Sequence, residues 1–324
     1  MSRFSSLIAL VVATACSWCA AAAAEEQYPA RTVKIVVPAA PGSTTDTLAR
    51  VVADQLSRKW SRPVIVENIP GGAMNIGAAN VARSAPDGYT LMIAPPSPLS
   101  FNHLIYRDPG YEPDKFVPIT LLAKIANVLV VRKDLPAATL QDLIAYAKAN
   151  PGKLSYASQG MGSTAHLSAA QLEAEAGITM VHVPYRGAQP ALTDIVAGHV
   201  DMFFDTLATS VPLYRDNKLK ILGVADQRRA AAIPEVPTIS EAGVPGFKSI
   251  TWFGLVAPPS TPAMLVEKIN QDVIEIIRSA EAGDALRRIS LEPGATSPAE
   301  TVRFFAEETA LWAKVIAQAG IEPQ

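Results

Sequence analysis

Twice along this chain a short strand runs into a glycine–hydroxyl loop and then into a helix, and nothing else in the sequence narrows the possible folds as far. The first copy is Thr32-Val33-Lys34-Ile35-Val36-Val37-Pro38, followed by Ala39-Ala40-Pro41-Gly42-Ser43-Thr44-Thr45-Asp46 and a helical pattern from Leu48. The second is Leu154-Ser155-Tyr156-Ala157-Ser158, followed by Gln159-Gly160-Met161-Gly162-Ser163-Thr164 and a helix from Ala165. Each loop aims backbone N–H groups and hydroxyls at one point, with a helix N-terminus behind them. That arrangement binds an anion without a basic side chain. Two such loops in two domains can hold a small carboxylate between them.

Strands and helices alternate from Val33 onward, the pattern of an α/β class with mainly parallel sheets. Residues 33–37 form a β-branched run suited to a buried strand. Leu48, Val51, Val52 and Leu56 recur near helical spacing. Thr139 and the Asn150-Pro151-Gly152 stop bracket another helix, at 140–149. Two apolar stretches, 116–133 and 250–257, lack helix-start signals and read as strands crossing from one domain to another. Two crossings imply a discontinuous first domain, residues 25–123 with 252–324, into which a second domain of residues 124–251 is inserted through a two-strand hinge. Amphipathic helices at 264–280 and 297–319 are expected to cover the first domain. The fold expected is α/β, two domains joined by that hinge, and the length of 324 residues suits two domains.

The N-terminus reads as an export signal over residues 1–24. Arg3 precedes an apolar run, and Ala22-Ala23-Ala24 before Glu25-Glu26 supplies a small-residue cleavage site near Ala24. Both cysteines, Cys16 and Cys19, fall inside it. The mature chain is therefore expected to lack disulfides, a thiolate nucleophile and cysteine metal ligands, as suits a large periplasmic domain. A net charge of −2 offers no bulk basic field for nucleic acid.

Each candidate residue has a bland alternative. Ser43-x-x-Asp46 fits a capping box in which Asp46 reaches back to the Ser43 N–H, although an Asp46 facing the cleft could order water or an amino group. Thr44 and Thr45 can donate to a carboxylate without charge repulsion. Of Ser163 and Thr164, one caps the following helix and the other faces the cleft. The N–H groups of Gly162 and Ser163 are expected to be bare. Asp205, ending a strand where open α/β sheets place ligands, is either a cap or an ammonium partner. Ser97, at the end of the third strand, lines the same cleft. His103, His166, His182 and His199 show no metal-site spacing, so no metal or other cofactor is expected. His166 lies three residues after Ser163, which leaves an exported serine hydrolase as a second reading, but no Gly-x-Ser-x-Gly elbow accompanies it. The loop at Gly42 lacks the Gly-Lys-Ser/Thr ending of a nucleotide cradle.

These motifs, in order and spacing, resemble the solute receptors of the tripartite tricarboxylate transporter system, the Bug proteins. The matching segments are Val36-Val37-Pro38-Ala39-Ala40-Pro41-Gly42 with Asp46, Val66-Glu67-Asn68, Pro70-Gly71, Asn75-Ile76-Gly77, Pro86-Asp87-Gly88-Tyr89-Thr90-Leu91 and Pro151-Gly152-Lys153-Leu154. Further on come Gly160, Gly162, Thr164, His166-Leu167, His182-Val183-Pro184-Tyr185, Val236-Pro237-Thr238, Glu241-Ala242-Gly243 and Trp252-Phe253-Gly254. Ser43 departs from the family's usual second glycine, and Ile69 stands where an arginine is common. The resemblance implies the clamshell fold of a two-lobed, type II-like periplasmic binding protein, binding without catalysis, and a small ligand that is a di- or tricarboxylate, an acidic amino acid or an aromatic acid. Two loops, residues 39–45 and 159–164, would grip a ligand carboxylate, partly through water. By this carry-over Ala39, Ala40 and Gln159 join the candidate contacts. The implied partners are the membrane permease subunits of such a transporter, with a sensor kinase as the alternative, and the receptor itself is expected to be a monomer.

Overall fold

A computed structural model describes residues 28–323; the export-signal reading, both cysteines included, lies outside the described residues. The first three strands, β1 (Val33–Val37), β2 (Val64–Asn68) and β3 (Thr90–Ala94), pair in parallel in the order β2-β1-β3. Helices α1 (Thr44–Trp60) and α2 (Asn75–Ala82) connect them, and a short α3 (Asn102–Ile105) follows β3. The apolar 116–133 stretch is one unbroken strand, β4 (Val117–Arg132). It is flanked by α4 (Leu140–Ala149), β5 (Ser155–Ser158), α5 (Thr164–Ala176), β6 (Val181–Pro184), α6 (Ala188–Ala197), β7 (Met202–Thr206), α7 (Leu207–Arg215) and β8 (Leu219–Val224). The return strand is β9 (Ile250–Ala257); then come α8 (Ala263–Arg278), α9 (Ala280–Arg288), the two-residue β10 (Glu292–Pro293) and α10 (Pro298–Gln318).

β4 is the spine. Its first part, up to Ala126, pairs antiparallel with β9; from Asn127 onward it pairs antiparallel with β7, and from Val128 with β8. The sheets are therefore less parallel than the alternation suggested: the βα units are parallel, but the strands that join the two halves run against their neighbours. This has a geometric consequence. β3 is antiparallel to β9, which is antiparallel to β4, so β1–β3 run with β4 and their C-terminal ends point toward the second half. β5, β6 and β7 run against β4, so their C-terminal ends point back toward the first. Both glycine–hydroxyl loops thus emerge at the same junction, where open α/β sheets place ligands.

Each half has its own core. Val128–Val131, Tyr156, Leu172, Phe203, Phe204 and Phe247 build one; Ile35, Val37, Leu48, Leu56, Ile93, Leu255 and Ile269 build the other, with Trp252 and Phe305 in a satellite. Trp252 stacks on Phe305 at 4.7 Å, and its indole N–H donates to the buried Glu308 at 2.8 Å. A further cluster crosses between the halves: Phe101 and Ile105 meet Leu167 and Ala170 of α5 and Trp312, Val315 and Ile316 of α10. The C-terminal helix therefore does more than cover the first half, because its last turns pack against a helix of the second.

Gly77 lets α2 sit against the strand ends behind the first loop. A Cβ there would lie 2.6 Å from the Ile69 carbonyl oxygen and 2.9 Å from Pro38 Cα, both immobile backbone. Gly77→Ala is expected to lose about 1–3 kcal/mol in chemical denaturation. Gly283→Ala, whose Cβ would meet only the flexible tip of Arg287 at 3.4 Å, is expected to be neutral or to gain up to about 1 kcal/mol.

Candidate functional site

The two loops are structural twins, aligned as Gly42-Ser43-Thr44-Thr45-Asp46 and Gly162-Ser163-Thr164-Ala165-His166. Gly42 and Gly162 adopt φ of 80° and 70°, a left-handed conformation natural to glycine. The serine that follows each is the N-cap of the next helix, at φ −69°, ψ 162° for Ser43 and φ −72°, ψ 159° for Ser163. Ser43 Oγ accepts the Asp46 N–H at 3.2 Å, and Ser163 Oγ accepts the His166 N–H at 3.3 Å. The residue at the fourth position then returns to the glycine: Asp46 Oδ2 accepts the Gly42 N–H at 2.9 Å, and His166 Nδ1 accepts the Gly162 N–H at 3.1 Å. Both serine N–H groups close a turn, on the carbonyls of Ala40 and Gly160.

The hydrogen bonds within each loop leave a defined set of donors free. The first turn of a helix leaves four N–H groups without intrahelical partners. Here the Ser43 and Asp46 N–H groups are taken, as are those of Ser163 and His166. The N–H groups of Thr44, Thr45, Thr164 and Ala165 make no hydrogen bond among the described residues, nor do the hydroxyls of Thr44, Thr45 and Thr164. Several expectations change as a result. The N–H groups of Gly162 and Ser163 are not bare, since loop closure consumes them. Asp46 does reach back, but to Gly42 rather than to Ser43. Ser163 is the cap, which leaves the Thr164 hydroxyl free among the described residues.

Asp46 is almost fully buried and ties the loop to its surroundings. Besides Gly42 it accepts from Arg50 Nε at 3.1 Å and from the Asn68 amide at 3.0 Å, and Asn68 also donates to the Ala39 carbonyl at 3.1 Å. Burial works to raise its pKa, but the bonds from Arg50, Gly42 and Asn68 outweigh it and hold the carboxyl below the usual range. Arg50, four residues on, offsets the charge from a largely exposed position. Ala39 is buried and Ala40 exposed, while Gln159 and Ser97 are half-buried, Ser97 opening the turn after β3. Asp205 corrects a further expectation. It is 1% exposed and accepts from Thr209 Oγ1 at 2.5 Å and Ser210 Oγ at 2.7 Å. Burial pushes its carboxyl upward in pKa, and both hydroxyls that it accepts from belong to α7.

Sequence reasoning missed the anchors. Arg50 carries no sequence signal of its own, Asn68 and His166 stand out only as parts of family-matching segments, and His166 reads as a structural residue or a hydrolase base, not as a loop anchor. The signal present was the shared four-residue interval from glycine to acceptor. His166 is buried in a ring stack, 4.2 Å from His182, which lies 4.9 Å from Tyr156. Ser158 Oγ meets His182 Nε2 at 2.7 Å. Because His166 Nδ1 accepts from Gly162 and Ser163 Oγ accepts from a backbone N–H, the two side chains do not form a nucleophile–base pair.

Burial, assisted by the neighbouring His182, lowers the His166 pKa to about 4. An unfolded chain protonates this histidine near pH ~6.5. Between those values the unfolded state binds more protons, so the stabilisation is complete above the unfolded pKa and is lost as pH falls through 4. The expected result is that, from pH 7 to pH 4, the protein loses about 3 kcal/mol more stability than its His166→Asn variant does. Denaturant melts at both pH values measure it.

Comparison with known proteins agrees with this architecture. Residues 48–321 match the model of the tripartite tricarboxylate transporter family receptors. A Pseudomonas sp. (strain P51) protein, described as a UPF0065 protein in the tcbD-tcbE intergenic region, is 36% identical over 90% of this chain and 88% of its own length. BugT of Bordetella pertussis is 32% identical over 99% of this chain and 98% of its own. Among solved structures, R. palustris Rpa4515 with adipate matches at a TM-score of 0.83 and 38% identity, covering 92% of this chain and 100% of that one. MatC of Rhodopseudomonas palustris with bound malate matches at 0.79 and 32%, covering 89% and 100%. With a family match over most of its length and a two-lobed fold shared with solved relatives, the chain belongs to the tripartite tricarboxylate transporter receptor (TctC, or Bug) family of solute-binding proteins.

Proposed function

We propose that this protein is a periplasmic receptor that captures a small carboxylate between its two lobes and delivers it to the permease subunits of a tripartite tricarboxylate transporter. The observation that carries the reading is the pair of twin loops at the junction of the two sheets, each with two helix N-terminal N–H groups and at least one threonine hydroxyl that have no partner among the described residues. Hydrogen bonds from such donors to a charged carboxylate contribute about 1.5–3 kcal/mol each. No catalytic step is assigned. Adipate and malate in the solved relatives favour an aliphatic diacid. The burial of Asp205 argues against an ammonium partner there, so plain diacids are favoured over amino acids.

Residues 25–123 and 252–324 would form one lobe and 124–251 the other. Closure would bend β4 near Ala126–Asn127 and the chain near Ser249–Ile250, where strand pairing passes from one half to the other. Thermal shift of the mature protein against mono-, di- and tricarboxylates, acidic amino acids and aromatic acids tests the reading. A ligand at 100 times its Kd stabilises by about 2.7 kcal/mol. A shift with diacids is the expected result, and no shift with any carboxylate, on protein verified as folded and ligand-free, would overturn it.

A further inference from the structure

We infer that His166 is a positioning residue of the carboxylate site, and that the site requires it to be an uncharged acceptor. The inference rests on the carboxylate-receptor reading. The twin loops solve one geometric problem with different chemistry. In the first, the acceptor that closes the loop on Gly42 is an anion, Asp46, and Arg50 four residues later lies 3.0 Å from it and cancels its charge. In the second, the acceptor is an imidazole, and the residue four positions later is Ala170, buried in the cluster that joins α5 to α10. No cation can stand there without breaking that packing. An anionic anchor in the second loop would therefore sit uncompensated in the same helical turn as the N–H groups of Thr164 and Ala165, and would repel a ligand carboxylate.

The surroundings fix the imidazole in the required form. Accepting at Nδ1 places its proton on Nε2. The ring stacks on His182, which stacks on Tyr156. Ser158 Oγ meets His182, accepts the Gly160 N–H at 3.1 Å and donates to the Gly160 carbonyl at 3.0 Å. Both glycines of the loop are thus tied to one stack of rings, Gly162 through His166 and Gly160 through Ser158. The titratable groups facing it are His182 on β6 and Tyr156 on β5, with Glu173 of α5 acting on Tyr156.

The experiment titrates sodium adipate and sodium malate into the wild type and three variants at pH 7.5 by calorimetry. His166→Asn, a neutral acceptor, is expected to bind within about threefold of wild type. His166→Ala, with no acceptor, is expected to be about tenfold weaker. His166→Asp, which copies the first loop's anchor without its arginine, is expected to be about a hundredfold weaker while still folding. Equal affinity in all four proteins, or an Asn variant as weak as the Ala variant, would overturn the inference. Failure of the wild type to bind any carboxylate counts instead against the receptor reading. Whatever the ligand and however the variants fold, a scalar coupling across the hydrogen bond between the Gly162 amide nitrogen and His166 Nδ1 is expected in the nitrogen-15 spectrum of the wild type. Its absence would overturn the anchor itself.

Discussion

Asp46→Ala is expected to disable ligand capture and to destabilise the fold at the same time. The carboxylate it removes accepts from the Gly42 N–H, the Arg50 guanidinium and the Asn68 amide, and is 3% exposed. Truncation removes the acceptor of the Gly42 N–H and one of the two acceptors of the Asn68 amide, and partly buried hydrogen bonds to a charged group contribute about 1.5–3 kcal/mol each. Arg50 is 56% exposed and returns to water at little cost. The expected net loss is about 2–4 kcal/mol in urea denaturation. With Gly42 untethered, the Thr44 and Thr45 N–H groups lose their fixed aim, and carboxylate affinity is expected to fall about a hundredfold in calorimetric titration. Asp46→Asn keeps an acceptor for Gly42 but weakens the Arg50 contact, and should lie between the two. An alanine variant that binds like the wild type would remove the loop scaffold from the account.

Trp312→Ala is expected to be the most destabilising single change away from the site. Trp312 is fully buried and packs edge-on to Phe101 at 5.7 Å within the cluster that α10 shares with α5. Loss of a buried tryptophan costs about 3–5 kcal/mol, since the cavity closes only partly. For a chain of this size that corresponds to a fall in Tm of about 6–12 °C. Leu167→Ala, on the opposite wall, should cost about 2–4 kcal/mol. The two residues share one cavity, so the double variant is expected to lose less than the sum of the single losses. Additive losses in the calorimetric scans would mean that the two helices do not share a core.

The sequence patterns that announce this fold are local. The β-branched run at 33–37, the Thr139 cap and the glycine–serine turns each carry their instruction within a few residues, and the structure uses them in that way. The crossing strands were legible as apolar stretches without helix starts. Their direction was not, because antiparallel pairing along β4 depends on partners in β7, β8 and β9, 71 to 140 residues away. Asp205 misled for a related reason: its strand-end position is shared by ligand contacts and helix caps, and only the Thr209 and Ser210 hydroxyls decide between them. The cluster joining α5 to α10 was hidden because amphipathic spacing in 297–319 shows that a face is buried, not which half of the molecule buries it. The anchoring roles of Asp46 and His166 lay in plain view as a repeated interval. One is an acid and the other a base, so residue type concealed a role that depends only on accepting one hydrogen bond.

A ligand carboxylate held by the free N–H groups of the two loops leaves a signature in amide chemical-shift mapping on titration with adipate. The resonances of Thr44, Thr45, Thr164 and Ala165 are expected to move most and to saturate together, while those of Gly42 and Gly162, already bonded to Asp46 and His166, move little. Saturable shifts centred elsewhere, with these four amides unmoved, would rule out the two loops as the grip on the carboxylate.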